Sequence, residues 1–153
     1  MLEQAAGELP IDFWGYGAET LPADSPIRER YRGEAWGLDM YRLLSRSAVA
    51  LNRHIDAAEG FANNMRLYEA TGVGALLLTD GGRNLSDLFE PGSEIETYAT
   101  EAELVDKLRH YLAAADERAA IAAAGHERTL RDHTYAVRMR ELEALLAARL
   151  STP

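Results

Sequence analysis

With 153 residues, 47% hydrophobic and 27% charged, the chain has room for one domain with a real core and is too apolar for wholesale disorder. A formal net charge of −9 argues against a general nucleic-acid or anionic-membrane binder, which needs a basic face. The lack of cysteine removes disulfides, thiolate nucleophiles and cysteine-based zinc sites. No apolar run approaches the roughly 18 residues of a spanning helix, and no signal-peptide pattern opens the chain, so a cytoplasmic protein is expected.

Residues 1–10 (MLEQAAGELP) read as a linker or the end of a preceding helix, because Pro10 bars continuation. Ile11 to Trp14 is a short β-prone run that stops at Gly15-Tyr16-Gly17, and Thr20 to Pro26 is an irregular connection. Trp36, Met40, Leu43 and Leu44 fall on one face of an amphipathic helix and are expected in the core. Ser47 to Leu51 reads as a buried strand ending at Asn52-Arg53-His54. A helix is expected over about Asn63 to Ala70, with Asn63 or Asn64 as its cap and Gly72 as its terminator.

Ala75 to Thr79 is the next buried strand, and Gly81-Gly82 reads as turn chemistry and not as a phosphate cradle. A short helix over Asn84 to Phe89, a Pro91-Gly92 turn and a marginal strand over Ile95 to Tyr98 follow. Thr100 and Glu103 make a capping box for a helix to about Leu112, and Asp116 is placed to cap the next. Residues 117–150 read as helical, with a break near His133-Thr134. His110, His126 and His133 show no metal-ligand spacing, and no metal site is expected.

Short apolar strands alternating with helices predict an α/β fold, a Rossmann-like parallel sheet with flanking helices. Such sheets bind ligands beyond the carboxyl ends of their strands. The loops at Gly15–Gly17, Asn52–Phe61 and Thr79–Asn84 all fall there. Arg53 and His54 leave a strand at that end, where a phosphate-facing role competes with a plain surface pair. His54 is also a candidate for proton transfer, since imidazole titrates near neutrality, although the sequence shows no partner for it. A helix amino terminus suits phosphate, and a carboxylate such as Glu69 further along suits the hydroxyls of a ribose. The stretch from Glu59 to Asp80 (EGFANNMRLYEATGVGALLLTD) therefore reads as half of a nucleotide-diphosphate site. A dinucleotide fingerprint is absent, because Gly15-Tyr16-Gly17 lacks the third glycine.

That stretch resembles the carboxy-terminal, donor-binding half of a GT-B glycosyltransferase of the group 1 type, in particular the CgeB-like (spore-maturation) branch. The segments Phe13 to Gly17, Tyr31-Arg32-Gly33 through Ala50, Asn84 to Pro91, Gly92 to Tyr98 and His133-Thr134-Tyr135 are similar to the family's in order, over about Ile11 to Leu146. The resemblance implies that 11–150 form a nucleotide-sugar (donor) binding domain. It implies that Glu69 binds ribose hydroxyls and that the amides of Gly60, Phe61 and Ala62 hold the diphosphate. Asn63 and Asn64 would contact the sugar or cap the helix. Glu59 is the nearest match to the family's first acidic residue, ten positions before Glu69 where the family has eight. The nucleotide sugar would be donor substrate and not a cofactor. The acceptor-binding half has no counterpart in these residues, so an acceptor-domain partner or a second copy is expected. The alternative is a non-catalytic nucleotide-sugar-binding module.

Overall fold

The computed structural model describes residues 2–150, which places Met1 of the expected linker outside it. Three strands, β1 (Val49–Asn52), β2 (Leu76–Asp80) and β3 (Glu96–Tyr98), form one parallel sheet in the order β1-β2-β3. Asn52 pairs with Thr79 and Asp80 with Tyr98, so the carboxyl ends of all three strands stand at one level. Leu76, Leu77, Leu78 and Thr79 are all buried, as a central parallel strand covered on both faces requires.

Each face has its own helices. Helix α4 (Met65–Gly72) and the short α5 (Leu85–Leu88) cover one, where Leu67, Ala70, Leu85 and Phe89 pack with Ala50, Leu77 and Ile95. On the other, α1 (Leu2–Glu8) and α6 (Glu101–Ala113) bring Ala5, Leu104, Val105 and Leu108 against Leu78 and Tyr98. Leu2–Glu8 thus pack into the domain as a helix, with Ala5 and Ala6 fully buried. Helix α7 (Ala115–Asp132) adds Ile121 and Ala122 beside Leu76 and lies against α4, where Thr71 and Thr129 share a hydroxyl hydrogen bond of 2.6 Å. Helix α8 (Tyr135–Leu150) closes the described chain after the expected break at His133-Thr134.

Several local expectations need correction. Ile11–Trp14 does not join the sheet; Phe13 makes a single parallel bridge to Tyr31, extended by Gly15 N–H donating to Gly33 O. Pro10 and the left-handed Gly15 and Gly17 leave this run too short for a ladder, and a cavity of about 520 Å³ separates it from β1. Trp36 is not core: the helix, α3 (Leu38–Arg46), starts after it, and its exposed ring stacks on Tyr16 at 6.0 Å. Gly72 is the last helical residue of α4, and the terminator is Gly74, whose φ of 78° turns the chain so that Ala75 N–H reaches Ala70 O. Asp116 lies inside the first turn of α7, whose cap is Ala114.

Thr100 does accept from Glu103 N–H, but the Glu103 carboxylate reaches back to the Ala99 N–H, one residue earlier than a reciprocal box needs. Neither Gly81 nor Gly82 has a positive φ; Gly82 is required by close approach, since a Cβ there would lie 2.7 Å from the Ala62 Cβ.

Candidate functional site

Aligned carboxyl ends bring polar side chains together where each strand stops. Asn52 and Thr79, paired in register and both buried, are joined by Asn52 Nδ2–H donating to Thr79 Oγ1 at 2.9 Å. Asp80, the last residue of β2, accepts the His54 backbone N–H at 2.9 Å and lies 2.8 Å from His54 Nδ1. An ionised carboxylate only accepts, so Nδ1 carries the hydrogen and Nε2 of a neutral ring is left as an acceptor. The His54 side chain is 7% exposed. Tyr98 donates its hydroxyl to Asn52 O at 2.9 Å; burial, then the Asp80 charge, push its pKa up to about 12, with Arg53 opposing.

The sequence offered no partner for His54; the structure supplies Asp80, from the strand beside it. That pairing was within reach of the strand-end rule, because LLLTD places an acid at the terminus of the central strand.

The connection from β1 to α4 carries most of the other expected site residues. Arg53 is exposed and acts electrostatically on Tyr98. Glu59 is exposed and has φ 51°, the one non-glycine positive φ among the described residues, and Gly60 follows at φ 81°. The Phe61 amide donates to Ala58 O at 2.8 Å, and the Ala62 amide to Asn84 Oδ1 at 2.8 Å. Those two N–H groups therefore meet a diphosphate only by exchanging a bond already made. Asn84 Nδ2–H returns a bond to Ala62 O, and Arg83 N–H donates to Gly60 O, which ties this connection to the loop after β2. The Arg83 guanidinium also stands 5.7 Å from the Phe61 ring centroid.

Neither asparagine caps α4 with its side chain. Asn64 holds the N-cap position, but its Nδ2–H donates to Asn52 Oδ1 at 2.9 Å; Asn63 Oδ1 accepts the Tyr68 hydroxyl. Both are drawn away by partners that sequence spacing cannot reveal.

Glu69 lies one turn further along α4, 12% exposed, with Arg66 Nη1 at 3.3 Å. It lines a cavity of about 800 Å³ together with Asn63, Asn64, Asn84, Tyr41 of α3 and Tyr135, Arg138 and Met139 of α8. The structure thus divides the expected residues: Arg53, His54 and Glu59 to Ala62 stand on the strand-end connection, Glu69 and Asn63 at the cavity. Asn64 and Asn84 belong to both, through Asn52 and Ala62.

The far wall holds residues the sequence did not single out for function. His133 Nε2–H donates to Leu88 O at 2.7 Å, and Nδ1 accepts from Arg138 Nη2 at 2.8 Å, with the Tyr68 and Phe89 rings 5.1 and 4.9 Å away. Burial, then the Arg138 and Arg128 charges, hold the imidazole pKa down, against the Leu88 bond. Among the described residues no three His, Asp or Glu stand close enough to hold a metal ion, and no helix is long and apolar enough to cross a membrane.

The model of the glycosyl transferase-like family matches residues 1–144. No curated protein matches in sequence. Among solved structures, the chain is similar to Anabaena HepE, whose crystal structure was determined in complex with UDP-glucose, with a TM-score of 0.63 and 16% identity. The match covers 77% of this chain and 32% of HepE, so the chain spans about a third of that protein's length.

Proposed function

Because the chain belongs to the glycosyl transferase-like family, we propose that it binds a nucleotide-diphosphate sugar at the carboxyl ends of β1 and β2 and serves as the donor half of a glycosyl-transfer site. The observation that carries this reading is the polar cluster of Asn52, His54, Asn64, Thr79, Asp80 and Tyr98 where the strands of a parallel sheet stop. A HepE structure of the same fold holding UDP-glucose supports it. The stretch from Glu59 to Asp80 supports assignment to the CgeB-like branch.

In this reading the Glu69 carboxylate leaves Arg66 to accept both ribose hydroxyls. Arg53 and the amino terminus of α4 face the diphosphate. Transfer breaks the bond between the sugar's anomeric carbon and the β-phosphate oxygen, whose electron pair leaves with the diphosphate. The acceptor oxygen bonds to that carbon and gives its proton to a base. The chain's part is to stabilise the charge growing on the leaving oxygen with a guanidinium and oriented N–H groups. The acceptor and its base come from a further domain, a partner chain or a second copy.

A non-catalytic nucleotide-sugar-binding module is the second reading. It is favoured by the occlusion of His54 Nε2 and the internal use of the Phe61 and Ala62 amides. The two readings share the ligand. A panel of UDP-, GDP- and dTDP-sugars scored by thermal shift tests both, because a ligand that binds the native state raises apparent stability. One of them should raise the midpoint in a saturable way; a panel with no effect up to millimolar concentration overturns the donor-site reading. Acceptor-dependent turnover then separates the two.

A further inference from the structure

Hydrogen bonds at the strand ends run in one direction. Asn64 Nδ2–H donates to Asn52 Oδ1, Asn52 Nδ2–H to Thr79 Oγ1, and the Thr79 hydroxyl to Asp80 Oδ1 at 3.3 Å, while His54 donates to the same carboxylate through its backbone N–H and Nδ1. Asp80 sets the polarity, since a carboxylate can only accept. The side-chain atoms left over at the two ends of this network are Asn64 Oδ1 and His54 Nε2. Both are buried without a hydrogen-bond partner among the described residues. Both are acceptors. They stand at the two ends of the connection between β1 and α4, so one stretch of chain, residues 55–63, links them.

We propose that His54 Nε2 and Asn64 Oδ1 are specificity determinants that accept hydrogen bonds from hydroxyls of the sugar, with Asp80 as the positioning residue that fixes the His54 tautomer. The inference rests on the donor-site reading and assigns the sugar, not the phosphates, to these two atoms. A buried acceptor without a donor is costly, and leaving it unpaired is what lets a site discriminate strongly for a ligand that brings the missing hydrogen. A phosphate brings only acceptor oxygens, so it gains nothing from Asn64 Oδ1 and nothing from the lone pair of neutral His54. A sugar ring brings several hydroxyls a few ångströms apart. Neither atom reaches solvent in this conformation, so the hydroxyls arrive only with a displacement of the connection that carries Glu59 and Gly60 in left-handed backbone.

The test uses the unmodified full chain, nitrogen-labelled, with UDP and UDP-glucose as probes. Imidazole nitrogen spectra should show His54 hydrogenated at Nδ1 in the free protein. UDP-glucose should move the Nε2 resonance and UDP should leave it in place. By calorimetry, His54→Phe and Asn64→Ala should each lose on the order of tenfold of the affinity for UDP-glucose while keeping that for UDP. Asp80→Ala should shift the His54 hydrogen toward Nε2 and lose the same increment. An equal Nε2 response to UDP, or an equal loss of UDP affinity in the variants, overturns the assignment to the donor sugar and returns His54 to the nucleoside-diphosphate part of the ligand. If both ligands bind the wild type without moving Nε2, the inference fails while the donor site stands. If the wild type binds neither, the comparison is run with the nucleotide sugar that raises the midpoint in the thermal-shift panel and its nucleoside diphosphate, and a panel without any hit overturns both readings.

Discussion

Adding one methyl group at Gly82 should destabilise the protein and loosen the connection between β1 and α4 with it. A Cβ built on Gly82 lies 2.7 Å from the Ala62 Cβ and 2.9 Å from the Ala62 nitrogen, far inside the roughly 3.5–4.0 Å of an ordinary contact. Ala62 is fully buried, and backbone has no rotamer with which to yield. Relief must come from separating the two loops, which three hydrogen bonds of 2.8–2.9 Å oppose: both bonds between Asn84 and Ala62, and Arg83 N–H to Gly60 O.

Overpacking of this kind costs about 1–3 kcal/mol, and the entropy that alanine removes from the unfolded chain returns about 0.4–1 kcal/mol. The net loss for Gly82→Ala is therefore roughly 1–2 kcal/mol, or about 2–8 °C in Tm for a chain of this size. Gly81→Ala is the internal control: nothing lies within 4 Å of its Cβ and its φ is not positive, so it should be neutral or slightly stabilising. Urea unfolding of the two variants against wild type reads both numbers. An unchanged or raised midpoint for Gly82→Ala, at the same denaturant slope, would refute the close-approach argument.

Replacing Glu69 by Ala should weaken binding of the nucleotide sugar by about 1.5–3 kcal/mol, the scale of a charge-assisted hydrogen bond, and leave unfolding nearly unchanged; calorimetry showing equal affinity removes Glu69 from the site. Arg53→Ala should reduce affinity for a nucleoside diphosphate much more than for the bare nucleoside, and equal losses would point to folding instead. His133 contributes a pH dependence. Its folded pKa lies below the ordinary value near 6.5, so above that value its contribution to stability is complete, and it is lost as pH falls through the folded pKa. Protonation also places an N–H opposite the Arg138 guanidinium, where a lone pair now accepts. The groups facing the ring are Arg138 of α8, Arg128 and Asp132 of α7 and the rings of Tyr68 of α4 and Phe89. His133→Gln should flatten the stability profile as pH falls below about 6.5 in urea titrations at stepped pH, and an unchanged slope would rule His133 out as its source.

Elements governed by local pattern were legible in the sequence. LLLTD is long, apolar and bounded by Gly74 and Gly81, so its strand could be placed within a residue, and Thr100 announced α6. What the sequence hid depends on distant partners. Asn63 and Asn64 are good caps in isolation, and only the fold brings Asn52 and Tyr68 close enough to take their side chains. Trp36 satisfies a helical spacing with Met40 and Leu43, yet Gly37, at φ 54°, starts the helix beyond it. That Arg53 and His54 follow a strand and that Glu69 lies on α4 could be read from pattern. The Asp80–His54 pair spans 26 residues, and register alone sets it.

One feature of the last helix bears on how the 800 Å³ cavity exchanges with solvent. No residue of α8 is buried, and Met139, Leu142, Leu145 and Leu146 all keep large exposed surfaces. In its first turn Arg138 grips His133 and Val137 N–H reaches Thr134 Oγ1. A helix held at one end and scarcely packed along its length opens as its own cooperative unit, at a free energy far below that of global unfolding. Amide hydrogen exchange should therefore be fast from about Leu142 onward while Leu76–Leu78 stay protected for as long as the domain is folded. Tyr135, Arg138 and Met139 supply one wall of the cavity, so the same sub-global opening should displace that wall and widen the approach to Glu69.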